Sequence, residues 1–177
     1  MSAGTEIILD PEKEYEIVEG QPEEKEMEGG RHGGVGARLV ARLVMHTEKT
    51  LLGGVYGPDT TFTIGRNERL PDVAFMSASR IPAEGEPEGI WPIAPDLAVE
   101  IISANDLFEK VIAKVHEYFD AGVRQVWLIS PEHRTIIIYH SQTQITILSE
   151  EDELVSGDIL PGFRCRVGEL FQQPARS

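Results

Sequence analysis

The stretch Pro95-Asp96-Leu97-Ala98-Val99-Glu100-Ile101-Ile102 reads as a buried β-strand that carries acids where a core strand carries none, and Pro71-Asp72-Val73-Ala74-Phe75 repeats the pattern. Ionised carboxylates stay out of protein interiors unless they are paired or bound to a metal. Strand alternation puts Ala98, Glu100 and Ile102 on one face and Leu97, Val99 and Ile101 on the other. Glu100 therefore points away from the heavier aliphatic side chains, and Asp96 shares its face if the strand begins that early. Plainer readings exist for each acid alone: Glu100 on a wet sheet face, Asp72 capping a turn after its proline. Two such strands together point to a sheet that delivers acids to one interior.

Next along the chain is a helix expected from about Asp106 to Asp120. On a wheel of about 100° per residue, Leu107, Tyr118 and Val111 fall within about 40° of one another, with Val115, Phe108 and Phe119 continuing the stripe. Lys114 lies about 20° outside that arc, at the border of the apolar face. There it either lays its stem along the core edge or gives its ammonium to an internal carboxylate. Asp106 and Glu109 have capping-box spacing, and Gly122 ends the helix. Gln125–Ile129 follows as a continuous apolar strand. This strand–helix–strand order predicts a βαβ unit in which Leu107, Val111, Val115 and Phe119 pack on the sheet, with the strands near 71–76 and 97–102 as neighbours.

Before these segments, short strands are expected near 5–9 and 15–19, then a solvated acidic arm from Glu23 to Glu28. Gly29-Gly30-Arg31-His32-Gly33-Gly34 reads as a flexible connection. Val35 to Thr50 reads as a helix, with Leu39, Leu43 and Val44 at helical spacing and Arg38 and Arg42 one turn apart as a small basic ridge or as solvated residues. Gly53-Gly54 is the expected stop. Strands follow at Gly54–Tyr56 and Thr60–Ile64, the latter joined to the strand at 71–76 by a turn at Gly65-Arg66-Asn67-Glu68. A loop rich in Pro, Gly and Glu over 81–95 has the length of a functional or mobile segment. Thr135–Tyr139 and Gln144–Leu148 form a hairpin. The whole, residues 1–177, reads as one α/β domain: a mixed β-sheet flanked by two main helices.

Composition excludes several classes. Thirty acids against sixteen bases give a net charge of −14, which rules out gripping a polyanion by the whole surface and leaves only a local basic patch and bound cations. No apolar run is long enough to cross a membrane, and the acidic start, Met1 to Glu14, is no secretory signal. Cys165 is the single cysteine, so no internal disulfide is expected, and the cytoplasm is the expected compartment. The glycine run before Val35 is not followed by Gly-Lys-Ser/Thr, so it is no nucleotide loop. His116 has Asp120 four residues on, not histidine, and His32, His46, His133 and His140 lack ligand spacing. Ser103 and Ser130 show no nucleophile elbow. His32, beside Arg31 and before a helix start, has the placement to meet a phosphate.

Two carboxylates and a lysine suit one chemistry. Hard cations such as Mg²⁺ take oxygen ligands, keep several waters and bridge to phosphate. An ammonium nearby orients water or offsets charge on phosphorus.

Further segments extend the pattern: Leu70-Pro71-Asp72-Val73, then Pro95 to Ser103, then Lys114-Val115-His116-Glu117-Tyr118-Phe119-Asp120-Ala121-Gly122-Val123, Trp127-Leu128-Ile129 and Leu160-Pro161-Gly162-Phe163, with Tyr15 to Gly20 and His32 as an opening. In this order they resemble the Uma-type family of candidate restriction endonucleases, within the PD-(D/E)xK nuclease superfamily. The resemblance implies a restriction-endonuclease-like fold with Asp72 and Glu100 as catalytic metal ligands. It also implies Mg²⁺, or Mn²⁺ in its place, nucleic acid and first of all DNA as substrate, and a homodimer. The superfamily usually places lysine two residues after the second acid. Here that position is Ile102, so the resemblance implies that Lys114 supplies the catalytic ammonium from the helix. Glu48 is the only acid well inside the first helix. Trp91, Trp127, Leu154-Val155 and Leu160 to Phe163 are the expected dimer surface. The rival expectation is a non-catalytic homodimer or binding module that keeps the fold.

Overall fold

A computed structural model describes residues 9–26 and 28–174. Of the strand expected over 5–9, residues 5–8 lie outside the described residues, and Leu9 belongs to no strand. The chain opens with a hairpin of β1 (Tyr15–Val18) and β2 (Gln21–Glu24), then α1 (Gly30–Thr50) and β3 (Gly53–Tyr56). Next come β4 (Phe62–Ile64), β5 (Asn67–Arg69), β6 (Val73–Ser77), β7 (Leu97–Ile101), α2 (Phe108–Asp120) and β8 (Gln125–Ser130). β9 (Thr135–Tyr139), β10 (Ile145–Leu148), β11 (Glu153–Val155), β12 (Arg164–Arg166) and the short α3 (Val167–Leu170) close the chain.

Six strands form the main sheet in the order β10-β9-β8-β7-β6-β3, and β2-β1-β5-β4 form a smaller one. Within the main sheet β7 and β8 are parallel, joined by α2 as the βαβ reading expects, and the other pairings are antiparallel. Alternation along β7 sorts the core. Leu97, Val99 and Ile101 pack with Val35, Leu39 and Leu43 of α1, while Ala98 packs with Val115 and Tyr118 of α2. The two helices thus cover opposite faces, and small residues at Ala74 and Ala98 face α2. Glu100 falls on that second face, the only acid in β7.

Several local expectations are corrected. The run Gly29 to Gly34 is no flexible connection, because α1 begins at Gly30. Leu51, in the left-handed conformation at φ 55°, ends this helix rather than Gly53-Gly54. Those glycines lie in β3, where Gly53 faces the β6 backbone. Asn67 and Glu68 belong to β5, so the turn is shorter than expected. Asp106 does not cap α2; its carboxylate accepts from the Ser103 N–H at 2.6 Å, and Leu107 is the N-cap without a side-chain bond. Leu107 is exposed, so the buried stripe of α2 runs through Val115 and Tyr118. Arg38 and Arg42 lean on the C-terminal segment, donating to the Leu170 carbonyl and to Glu169. Trp91, Trp127, Leu154, Leu160 and Phe163 are core residues, each buried. They supply no dimer surface, because their apolar area is already spent on the chain's own interior.

A methyl group added at Gly53 would sit 2.0 Å from the Met76 carbonyl oxygen and 2.9 Å from the Ala78 nitrogen. Backbone cannot move aside as a side-chain tip can. Gly53→Ala is expected to cost about 2 kcal/mol or more in urea unfolding. Gly57→Ala, with open space around it, should stay within about 0.5 kcal/mol of the parent.

Candidate active site

The register of the sheet brings the two acids level. Val73 pairs with Val99 across the antiparallel β6–β7 ladder, so one step further Asp72 stands opposite Glu100. Asp72 lies just before β6, where its Oδ2 accepts the Ile101 N–H at 2.7 Å. Lys25 Nζ, from the segment after β2, is 3.2 Å from Oδ1, and His32 Nε2, in the first turn of α1, is 3.3 Å from Oδ2. Burial disfavours charge on Asp72, yet the bond from His32, the Lys25 ammonium and the Ile101 N–H together hold its pKa below the ordinary carboxylate value. His32 also meets the Ile101 carbonyl at 2.9 Å. Its own pKa is raised: burial opposes the imidazolium, but Asp72, Glu28 and that carbonyl outweigh burial.

Glu100 is held from the other side. Lys114 Nζ approaches its Oε2 at 3.0 Å, and the Tyr118 hydroxyl donates to Oε1 at 2.5 Å. Lys114 and Tyr118 sit four residues apart on α2, so one helix face supplies both contacts. Lys114 Nζ also reaches Glu16 Oε1 of β1 at 2.8 Å. Glu16 in turn takes the Leu70 N–H at 2.9 Å and Arg69 Nη1 at 2.9 Å, while Arg69 forks onto Glu117 of α2. A chain of alternating charges thus runs Glu117, Arg69, Glu16, Lys114, Glu100. Glu16 is lowered in pKa: burial works against its charge, but Lys114, Leu70 and Arg69 prevail. Lys114 is raised despite its burial, because Glu100 and Glu16 flank it. Glu100 rises to about 7, first through burial and then through the nearby charges of Asp72 and Glu16, with Lys114 and Tyr118 pulling the other way.

Asp72, Glu100 and Lys114 all line one cleft of about 470 Å³, together with Glu16, Arg69, Ile102 and Lys110. The structure brings the three sequence-predicted residues together, with Lys114 at the apolar border where the helical wheel puts it. Asp96 is at the opposite end of β7, accepting from Ser77 N–H at 2.8 Å and paired with Arg80 at 3.1 Å; its role is to fasten loops. Glu48 is exposed and far along α1 from this cleft. The acid that joins the site from the N-terminal part is Glu16, in the Tyr15 to Gly20 opening. Its strand signal was readable, its partner Lys114, 98 residues away, was not. Tyr118, Lys25 and Arg69 were also missed as site residues, each for the same reason.

Among the described residues, no three or more His, Cys, Asp or Glu side chains are spaced to hold a metal ion together. Zinc, which wants four such ligands in a structural site, does not suit this donor set. A hard cation that binds one or two carboxylates and keeps its waters does suit Asp72 and Glu100.

Residues 5–168 match the family described as "Uma2: Putative restriction endonuclease". The chain belongs to this family. A crystal structure described as "a putative nuclease belonging to DUF820", from Anabaena variabilis, superposes with a TM-score of 0.82 at 23% identity, covering 93% of each chain. That likeness establishes the fold, a restriction-endonuclease-like one. No curated protein matches. No helix among the described residues is long and apolar enough to cross a membrane.

The Glu100 pKa predicts how metal-free stability responds to pH. Folding raises this pKa from about 4.5 to about 7, so the folded state holds the proton more tightly, and the contribution of Glu100 to stability falls as pH climbs between those values. Glu100→Gln lacks that loss. In EDTA, the variant should gain on wild type by about 2–3 kcal/mol between pH 4 and pH 8, read from urea midpoints across that range. A pH-independent difference would show that Glu100 does not titrate there.

Proposed function

We propose that the chain, acting as a single domain, is a nuclease that hydrolyses phosphodiester bonds of nucleic acid, DNA before RNA. Asp72 and Glu100 hold Mg²⁺, or Mn²⁺ in its place, and Lys114 acts at the reacting phosphate. The observation that carries this reading is the Lys114 ammonium, gripped by Glu16 and Glu100 in the cleft that Asp72 also lines. A divalent cation bound there supplies polarisation of a phosphoryl oxygen and offsets charge as the phosphorus is attacked.

The chain's own residues do the rest. The Ile101 N–H and Lys25 fix the orientation of Asp72 and keep it ionised. Tyr118 fixes Glu100 in turn. Because its pKa is raised, Lys114 stays an ammonium at neutral pH and is no general base. Two of its N–H groups serve Glu16 and Glu100, and the third, without a partner among the described residues, can donate to a phosphate oxygen, where it offsets developing negative charge. Ile102, standing where the superfamily usually has lysine, leaves that volume apolar, and α2 supplies the cation from above the strand.

The test is Mn²⁺ titration calorimetry beside a nuclease assay on wild type, Asp72→Asn, Glu100→Gln and Lys114→Ala. The two acid variants should lose metal-dependent cleavage by about 100-fold or more, and Lys114→Ala should lose a similar factor in kcat while binding Mn²⁺ within about threefold of wild type. A wild type that binds no metal, or acid variants that cleave normally, would hand the fold to the rival reading of a non-catalytic binding protein.

The same reading includes a homodimer working in the cytoplasm. The surface that suits it is the outer edge of β10, which pairs only with β9 among the described residues and exposes Ile145 and Ile147. Residues 141–149 carry no charge in a chain of net −14, so repulsion between copies is least there, and nothing on the strand blocks pairing of edge to edge. Sedimentation at micromolar concentration should give a dimer for wild type and the 19.6 kDa monomer for Ile147→Lys. A monomeric wild type would sink the assembly.

A further inference from the structure

Positive charge is scarce on this chain, and most of it is committed. Among the described residues, Arg31, Arg38, Lys49, Arg66 and Arg166 are the basic side chains outside every ion pair, while the others each meet a carboxylate. Two of these five, Arg31 and Arg38, line one cavity of about 470 Å³ together with a third arginine, Arg134. Glu132 is the one acid among the lining residues.

The cavity has a defined build. Arg31, Val35 and Arg38 lie at spacings of four and three along α1 and so share a face, and buried Val35 lines the cavity with them. Arg38 donates through Nη1 to the Leu170 carbonyl at 3.3 Å, and its other N–H groups have no partner among the described residues. Across the cavity, Arg134 lies over the Phe171 ring at 5.6 Å and is braced by Glu150 through Nε at 2.7 Å. Gly30, the first residue of α1, completes the rim, and no acid stands in the first turn of that helix. Planar guanidinium groups match the oxygens of a phosphate in a way a diffuse positive field does not.

Position relates this cavity to the active centre. Arg31 precedes His32, whose Nε2 is 3.3 Å from Asp72 Oδ2. The first turn of α1 therefore faces Asp72 with one side chain and the arginine cavity with the next. We propose that the Arg31–Arg38–Arg134 cavity binds a non-scissile phosphodiester group of the nucleic-acid strand, which crosses the first turn of α1 on its way from the Asp72–Glu100 cleft. This rests on the nuclease reading and explains how a chain of net −14 grips a polyanion: through two unpaired arginines on one helix face.

The test uses the full chain carrying Glu100→Gln, in EDTA at low salt, so that binding is read without cleavage. Fluorescence anisotropy of a labelled single-stranded and a labelled duplex oligonucleotide gives affinity and its salt dependence. Arg31→Gln, on an exposed side chain without described partners, should weaken oligonucleotide binding by about five- to tenfold and reduce the slope of log K against log salt by about one. Arg31→Lys, which keeps the charge, should restore the slope, and Arg31→Gln with Arg38→Gln should lower it by about two. Amide NMR with inorganic phosphate separates the other source of the same chemistry. Phosphate that perturbs Gly30 and Arg31, with no oligonucleotide effect from the variants, would mark a free-anion site and overturn the proposal. Oligonucleotide affinity and slope unchanged in the variants, while wild type still cleaves in Mg²⁺, would overturn this inference alone. A wild type that neither binds nor cleaves would remove the nuclease reading and the cavity's role with it.

Discussion

Everything at this site depends on the Lys114 ammonium standing between Glu16 and Glu100. Two largely buried carboxylates on β1 and β7, with Asp72 close by, repel one another in a medium that screens poorly, and a single positive charge at 2.8 and 3.0 Å relieves both. Such buried ionic clusters are weak sources of net stability, because desolvation offsets most of the attraction. What they secure is arrangement. Removing one member leaves a buried charge without a partner, so β1, β7 and α2 are bound to one another's geometry. Arg69 extends the bond from Glu16 to Glu117 and ties the small sheet to the same helix.

The fold gives each acid a different environment, and that difference is the chemical content of the site. Asp72, at the end of a strand, gathers a backbone N–H, a lysine and a histidine, and is held ionised. Glu100, on β7 under α2, is pushed up to about 7 first by burial and then by the charges of Asp72 and Glu16. Among the described residues no buried side-chain polar atom lacks a partner. The cluster is therefore closed on itself, each charged member meeting a partner within it.

Charge over the rest of the molecule follows the same economy. Most basic side chains neutralise particular acids, and the surplus acids spread over the surface. Two of the arginines that meet no carboxylate among the described residues, Arg31 and Arg38, share one face of α1, the helix whose first turn also supplies His32. One helix thus carries contacts to the core, to Asp72 and to the C-terminal segment, through side chains a quarter-turn or so apart. That distribution comes from helix geometry alone.

The sequence by itself determined the sheet-and-two-helix plan, the alternation that turns Glu100 from the aliphatic face, and the place of Lys114 at the edge of the α2 stripe. These are local properties, set by the period of a strand or a helix. It also placed Asp72 and Glu100 on adjoining strands, through the apolar pattern and the resemblance. It did not determine which residues meet across long stretches of chain. Glu16 joins Lys114, and Lys25 and His32 join Asp72, only when hairpin, helix and sheet are packed. The glycine run at 29–34 read as a loop because glycine is a poor helix former; tertiary contacts of the long α1 override that local preference. Trp91 and Trp127, expected at a dimer surface, lie in the core, since hydrophobicity says that a side chain leaves water but not what covers it. Tertiary structure decided those matters, because contact between distant segments depends on register and packing, and neither has a period that sequence can show.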